Sequence, residues 1–287
     1  MIHIINRSNR KRYSRQLAQM HKLRHEIFVK RKGWTKLSSA IGMEIDRFDT
    51  KLATYYVKLD QEGNVLASIR SVPSKGFTML STLYKDICTV EAPPASEDNW
   101  ELSRYFVSER KFVGDFGHPV KYELFVALIE HSLSNGIREL SGFMETFFMQ
   151  RAAQLGWKIE LLSGIHDYGE GEGVAMNLRI DEEMLAETRR RLSLHHKVIA
   201  GPQEMPQPTV GVTFEAEEVR ALAHMLQNQP DSNGDLLNLI QSLGSSDAEE
   251  VRQAEGVLDR WIAHEELKAF GSKKTTALHG ILSTVRH

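Results

Sequence analysis

Two charged residues lie inside an apolar stretch, Trp100–Val107, which reads Trp-Glu-Leu-Ser-Arg-Tyr-Phe-Val. This pattern predicts a buried strand, where a charge is costly unless it is paired or used in chemistry. Glu101 could serve as a general base, and Arg104 could bind a carboxylate through two parallel N–H bonds. Because the two residues are three apart, strict alternation would place them on opposite faces. They can share one pocket only if the strand bulges or splays there; the alternative is a structural ion pair at a strand end.

Further charged and aromatic residues occur upstream, at positions that are unusual for residues of a hydrophobic core. Arg24 and Phe28 are four apart on a predicted helix and are therefore neighbours on its surface. The remaining residues of this set are Trp34, Asp46, Asp49 and Arg70. Each also has a purely structural interpretation: the aromatic rings could be core, Asp46 a loop or cap residue, and Asp49 with Arg70 a scaffold ion pair.

Strand and helix patterns indicate how these residues are positioned. An amphipathic helix is predicted from Tyr13 to about Arg31, and a hairpin from Thr54–Leu59 and Val65–Arg70. A long loop from Pro73 to Asn99 precedes the central stretch, and loops of that length are usually functional. Downstream, the patterns predict a helix over 119–135, strands over 137–144, 157–162 and 174–180, and helices over 145–155 and 181–192, the last with Asp181 as N-cap. Strands followed by strand–helix alternation predict one α/β domain over residues 1–200.

Composition limits the function classes. The chain has 287 residues, a net charge of −2 and a single cysteine, Cys88, so an internal disulfide and a multi-cysteine metal site are excluded. No apolar run approaches 18 residues, which predicts no membrane span, and no signal-peptide pattern is present at the N-terminus. We therefore expect a cytoplasmic protein without a metal site.

The charges are unevenly distributed along the chain. From Arg7 to Lys36 there are eleven Lys or Arg and one acid, whereas from Phe214 to Arg260 there are ten Asp or Glu and three Arg. A proline-containing linker is predicted over 201–214, followed by an acidic helical extension over 215–287 that carries no recognisable motif. The basic run could attract an acidic partner, although most such runs are solvated helix faces.

In type and spacing, these residues resemble the LuxI-type acyl-homoserine-lactone synthases over roughly residues 1–195. The matching fragments are Arg-x3-Phe-x5-Trp at Arg24–Trp34, Asp-x2-Asp at Asp46 and Asp49, Arg70 in Ser-Ile-Arg-Ser-Val-Pro, and Glu-x2-Arg at Glu101 and Arg104, with Gly76-Phe-Thr-Met-Leu80 and Leu155-Gly-Trp157 beside them. The resemblance implies a Gcn5-related, acetyltransferase-like fold: an α/β protein with a mixed, mostly antiparallel central sheet flanked by helices, to which the C-terminal helical extension would be added.

The resemblance also implies a reaction for quorum sensing. A thioester of acyl carrier protein or coenzyme A acylates the α-amine of S-adenosylmethionine. S-adenosylmethionine is a substrate in this reaction, and no separate cofactor is implied. Its carboxylate then attacks its own γ-carbon and expels methylthioadenosine, which leaves an N-acyl-L-homoserine lactone. Glu101, Arg104 and Asp46 are the catalytic candidates, with Glu101 as the base.

Substrate-binding roles follow for the other matching residues. The rings of Phe28 and Trp34 can face the sulfonium or adenine, Asp46 and Asp49 can hold the ammonium, and Arg24, Arg70 or Arg104 can hold the carboxylate. The candidates for the acyl chain and the thioester oxygen are Leu102, Ser103, Phe106, Met144, Phe147 and Phe148, with Phe125 and Leu162 as further lining residues. Members that make 3-oxo lactones often have Thr near the position of Ser141-Gly142, so a 3-oxo chain is disfavoured.

The basic run gains a role under this hypothesis. Acyl carrier proteins are acidic, so Lys30, Arg31, Lys32 or Arg151 could steer their docking. One rival function is a general N-acetyltransferase using acetyl-CoA, but Gly114 and Gly117 lack the Gly-x-Gly/Ala spacing expected of its pyrophosphate loop. The other rival is a non-catalytic regulatory protein on the same scaffold. A nucleic-acid partner is not expected, because no binding module accompanies the basic run.

Overall fold

An eight-stranded sheet with helices on both faces forms the part of the chain that the computed structural model describes, residues 1–37, 42–108 and 119–201. The strands are β1 (Ile2–Ile5), β2 (Thr54–Leu59), β3 (Val65–Pro73), β4 (Asn99–Val107), β5 (Glu139–Glu145), β6 (Ile159–Leu161), β7 (His166–Asp167) and β8 (Glu172–Arg179). The α-helices are α1 (Ser14–Arg24), α2 (Met79–Thr82), α3 (Val120–Ser134), α4 (Phe147–Gln154) and α5 (Glu182–Leu192).

The strand order is β1-β2-β3-β4-β5-β8-β6, and β7 also pairs with β8. Only β4 and β5 are parallel among these named strands; the other pairs are antiparallel. The expected mixed, mostly antiparallel sheet is therefore confirmed. The predicted linker and C-terminal extension lie outside the described residues, apart from Gly201.

Alternation along β2 shows how the two faces of the sheet are covered. Tyr55 and Val57 pack into a cluster with Met20 and Phe28 on the side of α1. Tyr56 points to the other side, into the larger cluster formed with α3 and α5. The core is thus divided into two layers by the sheet, as the period of two along a strand requires.

The predicted N-terminal helix is confirmed in extent but not in type. A short 3₁₀ turn, Arg10–Tyr13, leads into α1, and the helix continues as seven π-helical residues, His25–Arg31. Wide π turns are rare and occur frequently at functional sites. Here the π turns carry Phe28 and end next to Trp34.

The expected distortion of β4 is also confirmed. Ser68 pairs with Phe106 and Arg70 with Ser103, so Arg104 and Tyr105 together oppose one residue of β3. Arg104 has a positive φ of 53°, the left-handed conformation that a β-branched or bulky side chain rarely adopts. The result is a bulge that shifts the alternation of β4 by one residue.

Beyond the bulge, β4 and β5 separate. Their register pairs only Asn99–Leu102 with Glu139–Gly142, although both described strands continue further. At the last pair, a Cβ on Gly142 would lie 2.8 Å from the carbonyl oxygen of Leu102, so glycine permits the close approach. The splay opens the sheet beside Arg104.

The remaining elements differ from expectation mainly at their ends. The helix predicted over 181–192 begins at Glu182, and Asp181 caps it by accepting a 2.7 Å bond from the Met184 N–H. The loop expected between Pro73 and Asn99 contains α2 and a 3₁₀ turn, Lys85–Ile87. The strand β7 was not expected, because two residues in a Gly-rich segment give no detectable periodicity.

Candidate active site

Six charged side chains, four of them buried and two partly buried, form a network at the splayed part of the sheet. The loop between α1 and β2 supplies Glu44, Asp46 and Asp49, and Arg24, Arg70 and Arg104 come from α1, β3 and β4. Each arginine forms ion pairs with two or three of the acids. Three positive and three negative charges balance.

The pairings are specific. Arg24 donates from Nη1 and Nη2 to the two carboxylate oxygens of Asp49 at 2.8 and 2.9 Å. Arg70 donates in the same forked way to Asp46 at 2.6 and 3.0 Å, and its Nη1 lies 2.7 Å from Asp49 Oδ1. Arg104 Nη2 lies 2.9 Å from Glu44 and 2.7 Å from Asp46. Forked arginine–carboxylate pairs fix geometry as well as charge.

Burial separates this network into two parts. The side chains of Arg24, Arg70 and Asp49 are at most 2% exposed, whereas those of Asp46 and Arg104 are 12% and 7% exposed. Asp49 also accepts bonds from the Tyr55 hydroxyl and from the Asp46 backbone N–H. Asp46 and Arg104 are therefore the members best placed to reach a ligand, while Arg24 and Asp49 are satisfied within the protein.

The pKa values follow from this arrangement. Burial alone would raise the pKa of Asp46 and of Asp49, but the neighbouring guanidinium groups outweigh it and hold both below their usual range, Asp49 well below. The pKa of Arg70 is held well above its usual value, because Asp46 and Asp49 outweigh the desolvation of its charge. Burial and the charge of Arg24 lower the pKa of the adjacent His21 to about 4. Asp46 and Asp49 therefore stay ionised, and His21 stays neutral, near pH 7.

Glu101 lies apart from this network. Its two carboxylate oxygens accept the backbone N–H groups of Met79 and Leu80, each at 2.8 Å, in the first turn of α2. The residue is 2% exposed, and burial raises the pKa of its carboxyl group although these N–H bonds act in the opposite direction. Arg104 pairs with Glu44 and Asp46 rather than with Glu101, so the predicted alternative of a Glu101–Arg104 ion pair is not the arrangement found.

Aromatic rings cover the network on the side of the π-helical segment. Phe28 and Trp34 stack with ring centroids 5.0 Å apart and planes inclined by 11°. The Arg104 guanidinium lies 5.9 Å from the centroid of Phe28, and the Lys32 ammonium 5.0 Å from that of Trp34. The pair therefore already contacts cations, which is the property required of a sulfonium-binding surface.

A bridge of side chains joins the two sides of the splay. Lys32 Nζ lies 2.7 Å from Glu145 Oε2 at the end of β5, and the Tyr168 hydroxyl donates to Glu145 Oε1 at 2.9 Å. The Tyr168 ring meets Trp34 edge-on at 6.0 Å. Sequence reasoning missed Glu145 and Tyr168 because neither stands in a distinctive motif, and it assigned no role to Glu44.

The predicted acyl-chain residues are divided between the two layers. Leu102, Met144 and Phe148 pack on the α3 side, whereas Phe106 packs edge-on against Phe28 on the other side. The bulge is the reason, because it reverses the face of every residue after Arg104 and so places Phe106 in the layer of Phe28. Phe125 lies in the α3 cluster, Leu162 in a separate cluster with Leu80 and Ala175, and Phe147 is 53% exposed.

Ser103 faces the charge network. Its hydroxyl accepts the Arg70 Nε–H at 3.0 Å, and it pairs with Arg70 across β3 and β4. Ser141 is buried and donates to Asn99 Oδ1 at 2.8 Å, beside Gly142. The hydroxyl nearest the position associated with 3-oxo chains is thus engaged within the sheet.

The four predicted docking residues are exposed but not one cluster. Lys30 pairs with Glu26, Arg31 donates to the Ser108 carbonyl, and Lys32 pairs with Glu145. Arg151 lies on α4, over the rings of Phe147 and Phe148. In the described ranges, no group of three or more His, Cys, Asp or Glu side chains has a metal-binding arrangement, and no helix has the length and apolarity to cross a membrane.

Comparisons with known proteins place this geometry in context. The chain matches the family model described as "Autoinducer synthase" over residues 8–188, more than half of its length. An isovaleryl-homoserine lactone synthase from Bradyrhizobium diazoefficiens is 31% identical over 159 residues, which cover 55% of this chain and 70% of the relative. An acyl-homoserine-lactone synthase from Aeromonas salmonicida is 28% identical over 168 residues, covering 57% of this chain and 80% of the relative.

Solved structures give the same picture. The CoA-dependent acyl-homoserine lactone synthase BjaI, solved with SAM (S-adenosylmethionine) and isopentyl-CoA, aligns with a TM-score of 0.64 and 28% identity, covering 70% of this chain and 92% of its own. A second CoA-dependent synthase, MesI, aligns with a TM-score of 0.63 and 29% identity, covering 70% of this chain and 99% of its own. The family match ends before residue 201, where the predicted linker begins.

Proposed function

This chain belongs to the autoinducer synthase family and is an acyltransferase that makes acyl-homoserine lactones, and we propose that Glu101, Arg104 and Asp46 act directly on its substrates. The fold is the acetyltransferase-like fold of that family. The observation that carries the proposal is the position of Glu101, a buried carboxylate with a raised pKa on the strand that splays beside the charge network.

Glu101 is proposed as the general base. The α-ammonium of S-adenosylmethionine must lose a proton before its nitrogen can attack a thioester. A carboxylate whose pKa is raised toward neutral pH by burial is a stronger base than an exposed one, and it remains able to accept the proton directly or through a water. The two N–H bonds from α2 hold the carboxylate in place without neutralising its charge.

Asp46 and Arg104 are proposed to bind the two charged ends of the methionyl group. Asp46 would accept from the ammonium, and Arg104 would donate to the carboxylate, since these are the two most exposed members of the network. Phe28 and Trp34 would face the sulfonium or the adenine, a contact worth about 0.5–2 kcal/mol. Arg24, Asp49 and Arg70 would hold Asp46 and Arg104 in position from beneath.

The chemical steps use groups that the substrates themselves supply. The deprotonated amine attacks the thioester carbon, a tetrahedral intermediate forms, and the C–S bond breaks so that the thiolate leaves and takes up a proton. A backbone N–H near Ser103 to Phe106, where β4 no longer pairs with β5, would stabilise the oxyanion. The methionyl carboxylate then attacks the γ-carbon, the bonding electrons move to the sulfonium sulfur, and methylthioadenosine leaves. The second step requires mainly the correct chain conformation.

We further propose a CoA thioester as the acyl donor, because the two similar solved structures are both described as CoA-dependent. Leu102, Met144 and Phe148 would line the acyl chain on the α3 side, together with Phe147 at its exposed end. No cofactor is proposed beyond S-adenosylmethionine as substrate, and the cytoplasm is the proposed location. Residues 1–200 would form the synthase domain, followed by the linker (201–214) and the acidic extension (215–287).

The decisive experiment is incubation with S-adenosylmethionine and matched series of acyl-CoA and acyl carrier protein thioesters, followed by mass spectrometry of the organic extract. A lactone together with methylthioadenosine is expected, and the series also identifies the chain length and the donor. Acylated amine without lactone would instead support a general N-acetyltransferase. No product with any thioester would support the non-catalytic alternative.

A further inference from the structure

The described chain ends in a defined position at one edge of the sheet. The Ile2 N–H donates to the Val198 carbonyl at 2.7 Å, the Ala200 N–H donates to the Ile2 carbonyl at 2.8 Å, and Ile2 pairs with Ile199 in parallel. Because β1 is the last strand in the sheet order, this short segment covers its free edge. The C-terminal residues therefore start from a fixed point beside β1.

The direction of this segment matters. A parallel pairing means that residues 198–200 run in the same direction as β1, from Ile2 toward Ile5. After Ile5 the chain turns and enters the 3₁₀ turn Arg10–Tyr13 and then α1. Residues 198–200 thus run toward the end of β1 that leads into the N-terminal helical segment.

That helical segment carries a strongly basic surface. Eight exposed cationic residues, which together we call the basic face, lie on this segment and on the turns that flank it, with one acid, Glu26, among them. Glu26 is already paired with Lys30. The basic face consists of Arg7, Arg12, Arg15, Lys22, Lys30, Arg31, Lys32 and Lys36.

The sequence that follows Gly201 has the opposite charge. Between Phe214 and Arg260 there are ten acids and three arginines, and the first three acids, Glu215, Glu217 and Glu218, follow the linker directly. A linker of about 14 residues spans at most about 50 Å, whereas residues 14–31 of the helical segment extend roughly 27 Å. The linker is therefore longer than the helical part of the basic face, so the acidic stretch can reach along that part.

From these observations we propose that the acidic C-terminal extension docks on the basic face of its own chain. The two charged stretches are on one polypeptide, so their effective concentration is on the order of millimolar even though single surface ion pairs are weak. Complementary charge also orients the encounter. The extension thereby covers the surface that an acidic partner protein would need.

This docking has a consequence that rests on the proposed function. An acidic acyl carrier protein would compete with the extension for Lys30, Arg31 and Lys32 across a protein-sized interface, whereas a CoA thioester, although also anionic, is a small molecule and would compete over a much smaller area. The extension would therefore favour CoA thioesters over carrier-bound acyl chains as donors.

Docking is tested on the full chain by carbodiimide coupling of lysine amines to carboxylates, using a mixture of unlabelled and ¹⁵N-labelled protein and peptide mass spectrometry. Lys22, Lys30, Lys32 and Lys36 should couple within one chain to carboxylates of residues 215–259, and coupling should fall several-fold at about 0.5 M salt. Two exposed lysines elsewhere on the described surface, Lys85 and Lys158, are the controls. Equal coupling to the controls, or coupling only between chains, would overturn the proposal.

A charge exchange gives an independent test. The variant Arg7→Glu/Arg15→Glu should lose coupling several-fold, and adding Glu217→Lys/Glu218→Lys should restore it; the matched control Lys85→Glu/Lys158→Glu should change nothing. Thermal unfolding confirms that each variant is folded. Failure of restoration would overturn the proposal.

The expected preference for CoA thioesters is tested in a separate experiment. The variant Glu215→Lys/Glu217→Lys/Glu218→Lys should raise the rate with acyl carrier protein thioesters several-fold relative to that with CoA thioesters. An unchanged ratio with intact coupling would refute the competition, and a chain that makes no lactone with either donor would refute the proposed function without affecting the coupling result.

Discussion

Asp46 and Asp49 offer a matched pair of substitutions that separates the binding part of the charge network from its structural part. Asp49 is 2% exposed at its side chain and binds Arg24, Arg70 and the Tyr55 hydroxyl. Removing the charge of one partner in such a buried network costs about 3–5 kcal/mol, because a buried charge is left uncompensated. For a domain of this size we expect Asp49→Asn to lower Tm by roughly 6–20 °C.

Asp46→Asn makes the same chemical change three residues earlier, with the opposite outcome. Its side chain is 12% exposed, so water can reach the new amide and Arg104 after the substitution, while Arg70 keeps its contact with Asp49. We expect a loss of stability below about 2 kcal/mol but a large fall in affinity for S-adenosylmethionine. Differential scanning calorimetry and isothermal titration of S-adenosylmethionine measure the two effects on each variant.

The pH dependence of stability gives a further check on the same pair. Because the folded-state pKa of Asp49 lies well below its unfolded value, its contribution is fully present above the unfolded pKa of about 4 and is lost as the pH falls toward the folded pKa. Asp49→Asn should remove this part of the acid dependence. Equal destabilisation by Asp46→Asn and Asp49→Asn, or a stable Asp49→Asn that fails only in binding, would refute the division of the network.

Other parts of the site lead to three further predictions. Gly142→Ala should reduce stability and activity together, because its Cβ would lie 2.8 Å from the Leu102 carbonyl oxygen; an unaltered Tm would contradict this. Trp34→Leu should weaken S-adenosylmethionine binding about 2- to 30-fold by calorimetry, through loss of the aromatic face; unchanged affinity would contradict this. Tyr168→Phe removes the bond to Glu145 and should lower the free energy of unfolding by about 1 kcal/mol; an unaltered Tm would be inconsistent with that bond.

Much of the fold could be predicted because its elements have strong local signals. Asp181 is a clear N-cap, and the pattern of Pro119 and Asn135-Gly136 marks the ends of α3. The π-helical turns have no such signal, because a helix of either type presents a similar apolar stripe. The extent of the helix was therefore predicted and its type was not.

The bulge shows both the strength and the limit of sequence reasoning. Two charges three residues apart indicated that β4 must deviate from regular alternation, and it does. The consequence for Phe106, which moves to the layer of Phe28, depends on which residue is inserted, and the sequence does not specify that. Glu44 was missed for a related reason: its role follows from contacts with Arg24 and Arg104, which are distant in sequence.

Glu101→Gln tests the central claim most directly. The substitution keeps the shape but leaves one of the two backbone N–H donors of α2 without an acceptor, which costs about 1–3 kcal/mol, so Tm must be recorded and S-adenosylmethionine binding confirmed. The measurement is the rate of lactone formation against pH, by mass spectrometry, for wild-type and variant. In the wild type the rate should rise with pH as Glu101 loses its proton, and the variant should be about 10²–10⁴-fold slower with that rise absent. A folded variant that binds S-adenosylmethionine and makes lactone at the wild-type rate would contradict the role of Glu101 as the base.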